Sequence, residues 1–345
     1  MYDRDTAMLE MYDISIKNIR KVRGGWLCMA DDGLYVWRET DAGEERLQME
    51  ADLCKAAEMA GMTEFWQSSG GMGSLRLDHF VKNREEHYLT SDRFGRNFVL
   101  KEWTEGRECE VKNEEDLYRG AQACACMHRA LKIISTEEYS DRFATAEPFL
   151  ELWGRRKREL VRVQRYVRRR HNKNELEQLI MKKTPIYLEQ AEWAMEMLNG
   201  ISDQIDNEIC HGDFHYHNLI FGKNENWICR SSRIHLGPQI GDFYLFLRKC
   251  MEKHGWNWQL AETLLTIYSN SNPISQAERQ LLYCLFLFPE KYWKQINFYI
   301  QSNKAWVPEK NVRKLVQIIR QEEKRQNFLT NLNQFILHPE QGPLY

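Results

Sequence analysis

The chain has 345 residues, more than one hydrophobic core usually serves, so length alone points to two subdomains or one large bilobal domain. Its composition, 43% hydrophobic and 28% charged with only 8 Pro and 19 Gly, excludes collagen-like, mucin-like and broadly disordered chains. Lys plus Arg (48) against Asp plus Glu (50) leave a net charge of −2, so any affinity for nucleic acid or an anionic membrane must be local. Nine scattered cysteines without a CxxC pair fit neither a disulfide framework nor a zinc ribbon, and are expected as core thiols of a protein folded in a reducing cytoplasm. No secretory signal is expected from the acidic opening MYDRDTAMLEMYD, and no membrane span, since the longest apolar run, Leu281 to Phe288, is far shorter than the roughly 20 residues required.

The first hundred residues alternate like strands. Ile14 and Ile16 have polar neighbours, and Trp26 to Ala30 and Leu34 to Arg38 flank the turn Asp31-Asp32-Gly33. Residues 44 to 60 switch to helical period, ending at Gly61. Further strands are expected at Leu75 and Leu77, at Glu86 to Thr90 and at Phe98 to Lys101, with turns at 69–74 and at Asp92 to Gly95. After Trp103 the pattern is helical: 113–131 behind a capping Asn113, then 148–171, 186–199, 241–254, 258–269, 275–301 with a break at Pro289, and 309–335. Ser275 to Glu278 carries the S-x-x-E capping pattern. A short hairpin of Leu219 to Phe221 and Trp227 to Cys229 interrupts the helices directly after the polar tract 210–218.

That tract holds the most informative spacing, His211-x-Asp213-x-x-x-x-Asn218. Phosphoryl transfer needs a carboxylate that takes the nucleophile's proton and a neutral oxygen ligand for magnesium, and Asp213 and Asn218 have those types. The tract resembles the catalytic loop of aminoglycoside phosphotransferases and choline kinases, members of the protein-kinase-like superfamily. Together with Lys21-Val22-Arg23-Gly24-Gly25-Trp26, Trp103-Thr104-Glu105-Gly106-Arg107-Glu108-Cys109 and Asp213-Phe214-His215-Tyr216-His217-Asn218, the chain is most similar to the CotS-type spore coat proteins. The resemblance implies an α+β, bilobal protein-kinase-like fold, with a β-rich N-lobe over 10–103 and a mostly helical C-lobe over 104–338. It also implies assembly with other spore coat proteins in the coat, after synthesis in the mother-cell cytoplasm.

The departures bear on activity. An active member carries, some dozen residues past the loop Asn, an Asp that chelates magnesium between the phosphates; Arg230-Ser231-Ser232 stand there instead. A guanidinium cannot ligate a cation, so Asn218 is left as the one residual ligand, no bound metal is expected, and any ATP would be held weakly or without magnesium, Arg230 supplying the missing positive charge. Arg38 takes the place of the phosphate-gripping Lys, with Glu50 on the next helix as its candidate partner; a purely structural ion pair, or none, is an equal alternative. His211 braces the loop, as do His215 and His217. Their spacing is no known ligand frame.

Residues 155 to 173 hold ten Lys or Arg and one Glu, a local charge of +9 that leaves −11 for the rest. Leu160, Val163 and Val167 give this segment a buried face, so it is expected as a helix with a basic surface that can meet an anionic partner. The function expected is that of a coat component on a degenerate kinase scaffold, a pseudokinase. Its rivals are an active ATP- and magnesium-dependent small-molecule phosphotransferase, and an adaptor working through the basic helix.

Overall fold

The computed structural model describes residues 6–22, 24–62, 65–66, 72–137, 139, 142–223, 225–301 and 309–337. Its N-terminal strands are β1 (Ile16–Val22), β2 (Gly25–Ala30) and β3 (Leu34–Glu39), followed by helix α1 (Glu44–Ala57). Gly61, at φ 100°, ends the turn after α1, the conformation that glycine alone adopts without strain. Then come β4 (Phe65–Trp66), β5 (Met72–Arg76), β6 (Phe80–Val81), β7 (Leu89–Ser91), β8 (Asn97–Trp103) and β9 (Arg107–Glu108). Helices α2 (Glu114–Ile133), α3 (Phe149–Arg169) and α4 (Glu175–Asn199) lead to β10 (Glu208–Cys210), the hairpin β11 (Leu219–Phe221) and β12 (Glu225–Ile228), and β13 (His235–Gly237). Six helices close the described chain: α5 (Ile240–Met251), α6 (Trp258–Ser271), α7 (Gln276–Leu287), α8 (Glu290–Gln301), α9 (Glu309–Arg320) and α10 (Glu322–Leu337). The chain thus has a β-rich N-terminal part and a mostly helical C-terminal part, the α+β arrangement expected.

Four expected elements differ from those observed. The helix expected over 309–335 is two, α9 and α10, parted by a turn at Gln321. The strand expected over 86–90 is confined to Leu89–Ser91, because the Asn83 side chain accepts from the backbone N–H groups of Glu85 and His87 and folds that stretch into a turn, with Glu86 at φ 63°. The helix expected from 186 begins at Glu175: Asn174 and Glu177 form a reciprocal capping box, and Pro185 is carried inside the helix. Of the turn expected over 69–74, Ser69, Gly70 and Gly71 lie outside the described residues, and 72–74 belong to β5.

The chain divides into two compact units: Met1–Ala144 with Glu208–Phe246 and Ile267–Asn272, and Thr145–Asn207 with Leu247–Thr266 and Pro273–Tyr345. In the first, an antiparallel sheet runs in the order β1-β2-β3-β8-β6, with β7 also on β8. Its core is aromatic: Trp37 stacks on Phe98 with centroids 5.0 Å apart, Tyr12 meets Trp37 edge-on, and Cys28 is fully buried. A second sheet, β4-β5-β12-β11-β9, pairs β12 in parallel with β5 and β11 with β9, so the hairpin 219–228 that follows the polar loop is stitched to two strands from earlier in the chain. All nine cysteines are buried and none is in a disulfide, and burial pushes thiols such as Cys28 up to about 12.

His79, between β5 and β6, lies against two carboxylates, its Nδ1 3.3 Å from Glu102 and its Nε2 2.8 Å from Glu58. Bonding to Glu102 first, then Glu58, outweighs burial and raises its pKa to about 9. The folded value lies above the ordinary one near 6.5, so this contribution is complete below about pH 6.5 and is lost as pH rises through about 9. Urea denaturation from pH 6 to 10 is therefore expected to show a decline in stability near pH 9 that is absent in His79→Gln.

In the second unit α3 and α4 bury Leu160, Val163, Val167, Leu176, Ile180 and Tyr187 together with Tyr292, Ile296 and Leu315. The basic tract 155–173 outruns its helix: α3 closes at Arg169, Arg170 is extended, and the rest forms the connection to α4. Arg155 pairs with Glu147, Arg156 with Glu290, Lys157 with Glu192 and Arg170 with Glu177. Arg158, Arg162, Arg165 and Arg169 are exposed, opposite the buried face, and form no ion pair among the described residues. Their 4-3-4 spacing makes one stripe.

Candidate functional site

The loop after β10 is hung from one buried carboxylate. Asp242, in the first turn of α5, accepts from the backbone N–H of His211 (2.6 Å) and of Gly212 (2.8 Å), and lies 3.4 Å from His128 Nε2. Gly212, at φ 78°, runs so close to the Arg233 carbonyl that a Cβ there would collide with it. His211 is fully buried: its Nδ1 accepts from Asp213 N–H at 3.3 Å, which leaves Nε2 to donate to the Cys229 carbonyl at 3.2 Å. Desolvation lowers its pKa, so the ring is a neutral strut.

The strut aims Asp213. Its carboxylate stands 3.4 Å from His215 Nε2 and accepts from Asn218 Nδ2 at 3.2 Å, while the same Nδ2 donates to the Asp213 carbonyl at 2.7 Å. Partial burial opposes ionisation, but His215, Asn218 and Arg233 outweigh it and hold the carboxyl near 2. Both donor positions of the Asn218 amide thus face Asp213, and its Oδ1 is left buried with no partner among the described residues. His217 closes the loop, its backbone N–H donating to His215 Nδ1 and its ring bonding Glu108 at 2.9 Å.

That Glu108 belongs to the Glu-Gly-Arg-Glu-Cys tract, whose side chains have separate tasks here. Arg107 forms a two-pronged pair with buried Asp116 on α2, the second prong at 2.8 Å, and Cys109 Sγ donates to the Asp116 carbonyl. Gly106 lets the backbone pass against Ile220 and Phe221. The tract therefore fastens α2 to the hairpin that carries the loop.

Hairpin register decides what faces Asn218. Leu219 pairs with Ile228, and the Cys229 N–H donates to the Asn218 carbonyl at 2.8 Å, so Cys229 lies opposite the loop Asn and Arg230 follows it, the second residue past the end of β12. Arg230 is left-handed (φ 70°, ψ 52°), and its Nη2 lies 3.8 Å from where a Cβ on Gly24, in the β1–β2 turn, would stand. One buried carboxylate does reach this turn: Asp78 accepts from Ser231 N–H (2.9 Å) and Oγ (3.0 Å). The same oxygen also takes Lys101 Nζ at 2.8 Å, so its charge is already neutralised. A magnesium ion at the end of β12 does not fit these residues, which offer a guanidinium, an occupied carboxylate and one neutral amide oxygen.

Arg38 and Glu50 are not paired. Glu50, fully buried on α1, bonds Arg46 at 2.7 Å, and burial raises its pKa despite Lys101 and Arg46. Arg38 lies over Trp103 with its Nε buried and without an acceptor among the described residues. Lys101 and Asp78 were missed in the sequence. The one signal was a lone Lys in the apolar strand Phe98 to Lys101. Gly24, Arg38, Lys101, Arg230, Ser232 and Arg233 line a cavity of about 720 Å³, with Glu39, Asp41 and Glu50 among the other wall residues.

The sequence profile of the family described as "Spore coat putative kinase YutH" matches residues 5–332. The chain belongs to this family. A search of curated protein sequences finds no match. Among solved structures, the chain is similar to an aminoglycoside phosphotransferase from Alicyclobacillus acidocaldarius subsp. acidocaldarius DSM 446, with 17% identity over 96% of each chain and a TM-score of 0.83. Spectinomycin phosphotransferase APH(9)-Ia, as its AMP-bound complex, is 10% identical over 89% of this chain and 91% of its own, with a TM-score of 0.61. Amicoumacin kinase hAmiN, in complex with AMP-PNP, Ca2+ and Ami, is 11% identical over 96% and 94%, with a TM-score of 0.57. At these identities the likeness establishes the fold alone, that shared with these phosphotransferases. Membership of the YutH family adds the spore coat.

Proposed function

We propose that this member of the spore coat YutH family is a pseudokinase, a coat component whose kinase-like scaffold serves assembly by protein contact. The observation that carries this reading is Arg230. It follows Cys229, the residue paired with Asn218, in the stretch where an active relative needs a carboxylate for magnesium, and the carboxylate that reaches the same turn, Asp78, is bound to Lys101 and Ser231. Loss of the charge that neutralises a transferring phosphoryl group removes the main electrostatic contribution to this chemistry. In the assay, purified protein with magnesium and ATP releases or transfers no γ-phosphate above the buffer rate. Turnover by the unmodified chain contradicts the proposal.

A second reading, an active phosphotransferase, has one observation in its favour: Asp213 and Asn218 are hydrogen-bonded to each other, with Asn218 Oδ1 unpartnered among the described residues. The same turnover assay decides between the two.

For assembly, the arginine stripe of α3 is the surface we assign to an anionic coat partner, met after synthesis in the mother-cell cytoplasm. Tyr166 is exposed beside it, and Ile186, Trp193 and Met197 are exposed on α4, an arginine-and-aromatic composition that suits a protein interface. The triple change Arg162→Glu, Arg165→Glu and Arg169→Glu is expected to leave stability within about 1 kcal/mol. It should disperse a fluorescent fusion from the forespore surface. Normal coat localisation of the folded variant would remove the stripe from the account.

A further inference from the structure

We propose that the cavity of the first unit binds a compact polyanion, the phosphate chain of a nucleotide or an inorganic oligophosphate, directly on arginine side chains and without a divalent metal. This rests on the reading of Arg230 given above and deepens it by naming a ligand class. The site is where the fold ordinarily places a metal–phosphate complex, yet the metal's anchoring charge is inverted.

The wall carries three guanidinium groups, Arg38, Arg230 and Arg233. Arg38 and Arg233 form no ion pair among the described residues, and Arg38 Nε is buried without an acceptor. A buried cationic donor left unmatched is costly, so it points to a missing anion. The other charges of the wall form no ion pair with Arg38 or Arg233 among the described residues. Lys101 is matched by Asp78, Glu50 bonds Arg46 through Oε1 and leaves Oε2 buried without a partner among the described residues, and Glu39 and Asp41 are exposed to solvent. Arg230 leans toward Gly24, whose missing side chain leaves room for a ligand next to the guanidinium.

Guanidinium forks match phosphate oxygens two at a time, and three of them around one cavity suit a chain of phosphates. The apolar part of the wall is Ala42, Leu47 and Val99, with no aromatic ring on which a base could stack. Recognition therefore falls on the phosphates. Magnesium should weaken binding, because it lowers the charge of the ligand and meets Arg230 as a like charge.

The test is isothermal titration of the full chain with tripolyphosphate, pyrophosphate, ATP and ADP, each in EDTA and again in excess magnesium. Saturable binding is expected in EDTA and is weakened by magnesium. Arg230→Ala and Arg38→Ala should each lose about tenfold or more, one lost charge-assisted contact being worth at least that. Arg230→Lys should recover part of the loss, and Arg20→Ala, on exposed β1 surface, should change nothing. ATP binding tighter than tripolyphosphate would assign the ligand to nucleotides, and equal affinities would assign it to the phosphate chain; either supports the proposal. No saturable heat in EDTA, binding that requires magnesium, or unchanged affinity in a folded Arg230→Ala overturns it. Absence of metal-free binding without turnover defeats this inference alone, whereas phosphoryl transfer from magnesium-ATP by the unmodified chain defeats the reading beneath it.

Discussion

Replacing Arg230 by Asp should give the protein magnesium-dependent nucleotide binding, with affinity for magnesium-ATP rising by about two orders of magnitude, or about 3 kcal/mol. Three features favour this gain. The change removes a cation facing the metal and supplies the anion that a divalent ion needs next to phosphate. Asn218 Oδ1 is already present and has no partner among the described residues. The backbone at 230 is left-handed, a conformation that Asp tolerates better than Arg, so the variant should fold at least as well. Titration with ATP, with and without magnesium, measures the effect. Equal affinity in both buffers would mean that more than one side chain separates this loop from a working site.

Asp78→Asn should cost roughly 3–5 kcal/mol of folding stability, because it leaves the Lys101 ammonium buried without its counter-ion. Burial alone would raise the Asp78 pKa. Lys101 and the Ser231 N–H reverse that and bring it to about 2. Because the folded value is depressed, the stabilisation is present above about pH 4 and is lost as pH falls toward 2. Replacing Lys101 by Met as well should recover most of the loss, since a cation and an anion removed together leave neither uncompensated. Urea denaturation of the single and double variants reads this directly. A loss below 1 kcal/mol in Asp78→Asn would show that water, not Asp78, solvates Lys101.

What the sequence discloses follows the range of each interaction. Helix α2 is legible because its cap, its first-turn acids and its apolar face lie within twenty residues. The catalytic-like loop is legible for the same reason: His211, Asp213 and Asn218 act on one another across five positions or fewer. The place of Arg230 follows from counting along one hairpin. Lys101, Asp78 and Ser231 could not be joined that way, since their contacts span 23 and 153 positions and depend on how β8, the β5–β6 link and the turn after β12 fold together. Glu50 shows the opposite failure. A family pattern suggested Arg38 across the sheet, while a local partner four residues earlier, Arg46, takes the carboxylate. The start of α4 was obscured by Pro185, which reads as a boundary in isolation and is carried within a well-capped helix.

The central claim, that the end of β12 does not hold a divalent metal, is tested most directly by crystals of the unmodified protein grown with a non-hydrolysable ATP analogue and Mn2+. The account predicts no anomalous manganese peak beside Asn218, with any phosphate oxygens seated on Arg38 and Arg230. A manganese peak bridging Asn218 and a carboxylate would contradict it.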